Sequence, residues 1–175
     1  MNGEKLMKKG FLLLTIFISV SLVIFLSIKN KPIYGNDADS IVEVISSINL
    51  YEGKSIHLLE IYDFDDDRVV TFLSNSSPSI IEFDKNDKGN YTGPRSETRH
   101  GENLSQFTIG HIGDDDEVFV FSVKNQYSTT DMFSFSANTE IYTVDFGLGH
   151  PNSHYTKLKK SKDNSYSFEW FIPEE

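Results

Sequence analysis

The chain contains no cysteine. Its absence excludes disulfides, Cys-ligated zinc, iron–sulfur clusters, thiol nucleophiles and lipid attachment through a lipobox cysteine. Phosphate-binding signatures are missing too: there is no Walker A loop and no G-x-G-x-x-G. No G-x-S-x-G elbow and no S-x-x-K are present, and no spacing of serine, histidine and aspartate selects a triad. Basic charge is scarce outside the first 31 residues. That stretch holds Lys5, Lys8, Lys9, Lys29 and Lys31 against Glu4 alone, out of 16 Lys+Arg and 26 Asp+Glu in the whole chain. The remaining 144 residues therefore carry 11 basic and 25 acidic side chains. A body this negative repels phosphate backbones, so no nucleic-acid partner is expected.

What is present begins with an apolar run from Phe11 to Ile28, free of charge, glycine and proline. Its 18 residues make a helix of about 27 Å at ~1.5 Å per residue, close to a hydrocarbon core of about 30 Å. Lys5, Lys8 and Lys9 precede it, which places the N-terminus in the cytoplasm. No small-x-small cleavage site follows, so the run reads as an uncleaved membrane anchor, with a cleaved secretory signal as the alternative. Both send the rest of the chain across the membrane. The expected organisation is a basic N-terminus (1–10), an anchor (11–28), a spacer (29–36) and one extracytoplasmic domain (37–175).

One soluble helix is legible. Residues 37–40 offer capping side chains, and Ser40-x-x-Glu43 matches a capping box. Ile41, Val44, Ile45 and Ile48 form one apolar stripe. Beyond Lys54 the alternation is that of strands: 56–64, 68–73, 79–83, 106–112, 118–123, 132–137, 142–146 and 165–170, with 92–103 as a polar loop. Phe119 with Phe121 and Val118 with Val120 occupy opposite faces, which marks a central strand buried on both sides. The fold class is α+β, mostly β: an antiparallel sheet domain of seven or eight strands with one short packing helix. Aromatics supply 13% of the residues, enough large side chains to build a core without disulfides. The segments around the two Asp triplets, 59–72 and 108–121, echo one another, either as a duplication or as two hairpins with acidic tips.

Three groups of side chains bear chemistry. Asp65, Asp66 and Asp67, with Asp114, Asp115 and Asp116, supply the hard oxygens calcium requires if the two turns converge. Read structurally, the same aspartates keep hairpin tips solvated and block edge pairing. Asp84-x-Asn86-x-Lys88-Gly89 opens like an EF-hand loop, but Lys88 occupies a ligand position and Arg95 the place of the closing glutamate. His150 and His154 are four apart, yet Pro151 breaks a helix there. They or His111, with a carboxylate, would be needed by a small metal-dependent hydrolase. Lys157, Lys159, Lys160 and Lys162 form the one basic run of the exported part, read as a solvated edge.

The Lys-flanked apolar segment, with the stretches 58–61, 68–72 and 80–91, resembles small membrane-anchored or exported β-rich proteins of Gram-positive bacteria. The resemblance implies the anchored β architecture and carries no activity, cofactor or site residue. The functional expectation is a membrane-tethered extracytoplasmic interaction or sensing module. Its contacts would be the membrane, through Phe11 to Ile28, and a membrane or envelope protein. A calcium-binding or calcium-stabilised envelope domain is the alternative.

Overall fold

The computed structural model describes residues 16–22, 32–112, 117–137, 140–147, 149–159 and 168–171. The chain divides into two compact units, Met1–Ile33 and Tyr34–Glu175. In the first, residues 16–22 are helical, and the rest of the expected 11–28 span lies outside the described residues. Among the described residues no helix is long and apolar enough to cross a membrane.

The described residues of the second unit form mostly antiparallel β-structure with one α-helix. Helix α1 (Ala38–Ser47) starts at Asp37, whose carboxylate accepts from the Ser40 N–H while the Ser40 hydroxyl accepts from the Asp37 N–H. The capping box is thus Asp37-x-x-Ser40, one turn ahead of the Ser40-x-x-Glu43 expected. Asp37 carries the extended backbone that an N-cap needs, and Ser40 is already helical. Ile41, Val44 and Ile45 are buried as the stripe predicts. A short 3-10 turn (Asn49–Tyr51) leads to the strands.

The described residues hold ten strands in three sheets, not one sheet of seven or eight. The first sheet is a four-stranded meander of β1 (Ile56–Phe64), β2 (Asp67–Ser74), β3 (Ser77–Lys85) and β4 (Tyr91–Thr98). The second has the order β5-β6-β9, with β5 (Leu104–Ile112), β6 (Glu117–Lys124) and β9 (Asn152–Lys157). The third has the order β10-β7-β8, with β7 (Met132–Ala137), β8 (Glu140–Asp145) and β10 (Phe168–Phe171). All pairings are antiparallel. Two strands escaped sequence reading. The polar segment expected to loop over 92–103 contains β4, an edge strand whose buried pattern shrinks to Tyr91 and whose Pro94 tolerates an unpaired side. The stretch after Pro151 becomes β9 because Ser153, Tyr155 and Lys157 alternate with His154 and Thr156 across from β6.

Each apolar cluster lies between two layers. Ile41, Val44 and Ile45 of α1 pack with Val70, Phe72, Ile81 and Phe83 on one face of the first sheet. The other face, Val69, Leu73 and Ile80, packs against Phe107, Ile109, Phe119, Phe121 and Val123 of the second sheet. Val120 then meets Phe133, Phe135 and Val144 of the third. The order is helix, sheet, sheet, sheet, so β2 and β6 are buried on both faces, as expected for β6. The two echoing segments become the hairpins β1–β2 and β5–β6, in facing layers. Their irregularities differ: the β1 register shifts at Leu58/Glu60, far from the turn, and the β5 register at Gly110/Ile112, beside it.

The chain enters this unit along β4. The Gly35 N–H donates to the Tyr91 carbonyl at 2.9 Å. A Cβ on Gly35 would lie 2.7 Å from the Phe83 ring, so only glycine allows the approach. Arg68 holds the same segment: its Nη1 donates to the carbonyls of Gly35 (2.7 Å) and Asn36 (2.9 Å), and its guanidinium stacks 3.9 Å above Tyr91.

Candidate functional site

The first and second sheets meet at two ends and along one flank. At one end, Asp65 and Asp66 turn β1 into β2, with Asp65 in the left-handed region (φ 34°). Phe64, beside that turn, lies 4.8 Å from Phe119, near the start of β6. The β1–β2 turn and the start of β6 therefore share an end. Asp114, Asp115 and Asp116 lie outside the described residues, as does the His111 side chain.

Two described aspartates at this end already hold cations. Asp63 accepts two bonds from Arg68, at 2.6 and 2.9 Å, and the guanidinium holds its carboxyl below the usual range. Asp84, which faces Asp67 across β2–β3, accepts two bonds from Arg95 at 3.2 and 3.0 Å. The residue in the place of an EF-hand's closing glutamate thus neutralises the residue in its first ligand position. Burial raises the Glu82 carboxyl, and Arg95, 3.7 Å away, works against that rise. Lys85 donates to the Asp65 carbonyl at 3.3 Å.

The histidines are dispersed. His154 sits on β9, half-buried and edge-on to Phe146 at 5.6 Å. His150 is exposed ahead of the strand, and His100 approaches Ser77 Oγ at 3.5 Å in an exposed bend. Among the described residues no three His, Asp or Glu side chains could share a metal ion. Ser122 lies across from His154 in the ladder, but its hydroxyl is fully buried and has no partner among the described residues. Of the basic run, Lys159 pairs with Glu140 at 2.7 Å.

The arrangement that stands out is the flank where β1 and β9, both edge strands, lie side by side. Five rings gather there: Tyr62 and Phe64 from β1, Phe119 and Phe121 from β6, and Tyr155 from β9. Tyr155 is 5.1 Å from Tyr62, 5.5 Å from Phe64, 5.7 Å from Phe119 and 5.9 Å from Phe121. The four others are buried or half-buried, whereas Tyr155 is 45% exposed. Beneath the rings, the Tyr62 hydroxyl donates to the Ser153 carbonyl at 3.1 Å, and Ser153 Oγ bonds Thr71 Oγ1 at 2.6 Å. Burial pushes the Tyr62 hydroxyl's pKa up.

The β9 backbone is also open. The Leu158 N–H donates to the Val118 carbonyl, so by antiparallel alternation Thr156 and His154 bond β6. The peptide groups of Ser153 and Tyr155 then face outwards. Tyr62 takes the Ser153 carbonyl, and those of Tyr155 have no partner among the described residues. Strand β9 has no proline and no carboxylate, and its one charged side chain, Lys157, stands at its C-terminal end. Tyr155 was hidden by the histidine, proline and asparagine before it, although the alternation of Ser153, Tyr155 and Lys157 carried the signal. Compared with protein-family models, curated proteins and solved structures, the chain matches none of them.

Proposed function

We propose that this protein is a membrane-tethered extracytoplasmic interaction module. The apolar run Phe11 to Ile28 anchors it, and the β1–β9 flank takes an extended peptide segment of a membrane or envelope protein. The observation that carries the reading is Tyr155: a half-exposed ring at the mouth of an aromatic cluster, whose own outward peptide groups have no partner among the described residues. Such an edge offers main-chain bonds to an incoming strand, and the rings offer pockets for alternate side chains. A tether raises the local concentration of any partner in the same membrane.

The absence of cysteine makes single-cysteine variants clean probes. Asp87→Cys, in an exposed turn, should react with a membrane-impermeant maleimide on intact cells. Tyr155→Cys should react in the purified protein and be protected in cells. An unreactive Asp87→Cys in intact cells contradicts the topology, and equal labelling of Tyr155→Cys in both settings contradicts the flank.

A second reading, a calcium-stabilised domain, is favoured by the shared end of the β1–β2 turn and the start of β6. Melting the full chain in chelator and in calcium tests it. A ligand of the folded form alone raises the midpoint, and Asp65→Asn should remove that rise. An unchanged midpoint contradicts this reading and leaves the first intact.

A further inference from the structure

A cleft of about 430 Å³ opens at the end of the two sheets opposite the Asp65–Asp66 turn. This lies within the ~300–1,000 Å³ typical of small-molecule sites. Ser55 and His57 line it from the start of β1, Asn75 from the β2–β3 turn, Gln126 from the turn after β6, and Leu73 and Pro151 add apolar surface. None of these side chains carries a fixed charge, which disfavours ions of either sign.

The polar side chains are oriented by one atom and unengaged at another. Asn75 Oδ1 accepts from the Ser55 N–H at 2.8 Å, and its Nδ2 has no partner among the described residues. Gln126 Nε2 donates to Ser76 Oγ at 2.9 Å, which leaves its Oε1 unengaged among them. The Ser55 hydroxyl and the His57 ring likewise have no partner there. Asn75 (φ 47°) and Ser76 (φ 70°) are both in the left-handed region, where a serine is strained. Ser76 is held there because its carbonyl accepts from Asn125 Nδ2 at 2.8 Å and its hydroxyl meets Gln126. Asn75, with Nδ2 as donor, and Gln126, with Oε1 as acceptor, line the same cleft as a hydroxyl, an imidazole and an apolar wall.

We propose that this cleft binds a neutral acetamido sugar. An amide group finds a matching donor and acceptor in Asn75 and Gln126, its methyl packs on Leu73 and Pro151, and ring hydroxyls reach Ser55 and His57. The site is independent of the Tyr155 flank and does not rest on the reading proposed for it.

The test is saturation-transfer NMR on the purified full-length chain in detergent, with chitotriose as probe and maltotriose as the sugar without acetamido groups. The expected result is strongest saturation on the chitotriose acetamido methyls and none on maltotriose. Asn75→Asp keeps the acceptor for the Ser55 N–H and tolerates the left-handed backbone, but loses the donor. It should weaken binding roughly tenfold at an unchanged melting temperature. His57→Ala, at an exposed position, should weaken the signal too, and keeps the test valid if Asn75→Asp disturbs the turn. Absence of methyl saturation, equal saturation of maltotriose, or chitotriose binding unaltered in both variants would overturn the proposal.

Discussion

The two ends of the first sheet are held by different chemistry. At the Asp65–Asp66 end, carboxylates are matched by guanidinium groups: Arg68 holds Asp63, and Arg95 holds Asp84. At the opposite end, amides do the joining. Asn125, 2% exposed, donates to the Ser76 and Glu102 carbonyls and to Asn103 Oδ1, while its own Oδ1 accepts from the Tyr127 N–H. Asn125 thus ties the β2–β3 turn of one sheet to the loops flanking β5 and β6 of the other. Exposed charge pairs are screened and titrate, whereas the amide bonds of the buried Asn125 do neither. The amide end should therefore carry more stability and be blind to pH, and the charged end should carry less and lose it in acid.

The largest effect should come from Asn125→Ala. The two Nδ2 hydrogens, shared among three acceptors, and the Oδ1 acceptor are lost and buried carbonyls lose a donor, so unfolding free energy should fall by about 3 kcal/mol. Urea melts at pH 7 and pH 4 should give the same loss at both, because none of Asn125's bonding partners titrates. A loss that depends on pH would break the comparison.

Next is Arg68→Met at the charged end, expected to cost about 2 kcal/mol at pH 7 through the bonds to Asp63, Gly35 and Asn36 and the stacking on Tyr91. Part of that loss is titratable. Folding lowers the Asp63 pKa. Its contribution is therefore complete above the unfolded value near ~3.9 and disappears as pH falls through the folded value. The gap between wild type and variant should narrow below about pH 4, a trend that denaturant melts at stepped pH will read.

The smallest effect sharpens the same point. Arg95 is 59% exposed at its side chain, and Arg95→Gln should cost no more than about 0.5 kcal/mol despite two bonds to Asp84. A loss above about 1.5 kcal/mol would show that the charged end is less screened than its exposure indicates.

The legible parts of the fold were those whose pattern is local. The stripe Ile41, Val44 and Ile45 announced α1, and the two-faced run around Phe119 and Phe121 announced β6, because each side chain's burial follows from its own strand or helix period. What stayed hidden depended on partners distant in sequence. Strand β4 has one buried aromatic at its start, and its place is set by pairing with β3. The division into three sheets is not visible because every strand reads alike until it is known which neighbours it bonds. The β1–β9 flank joins Tyr62 to Ser153 across 91 residues. The cleft likewise draws Ser55, Asn75 and Gln126 from three separate connections, and each of these reads as ordinary turn chemistry on its own. The acidic turns were plain in the sequence; that Arg68 and Arg95 would neutralise Asp63 and Asp84 was not.

The interaction proposed for this protein requires that the β1–β9 flank, and not the acidic end, meets the partner. The direct test places a photo-activatable phenylalanine at Tyr155 or at Asp87 in the full-length chain, irradiates intact cells and compares the adducts. A discrete cross-linked species with a membrane or envelope protein is expected from position 155 and absent from position 87. Matching adducts from both positions, or an adduct from position 87 alone, would contradict it.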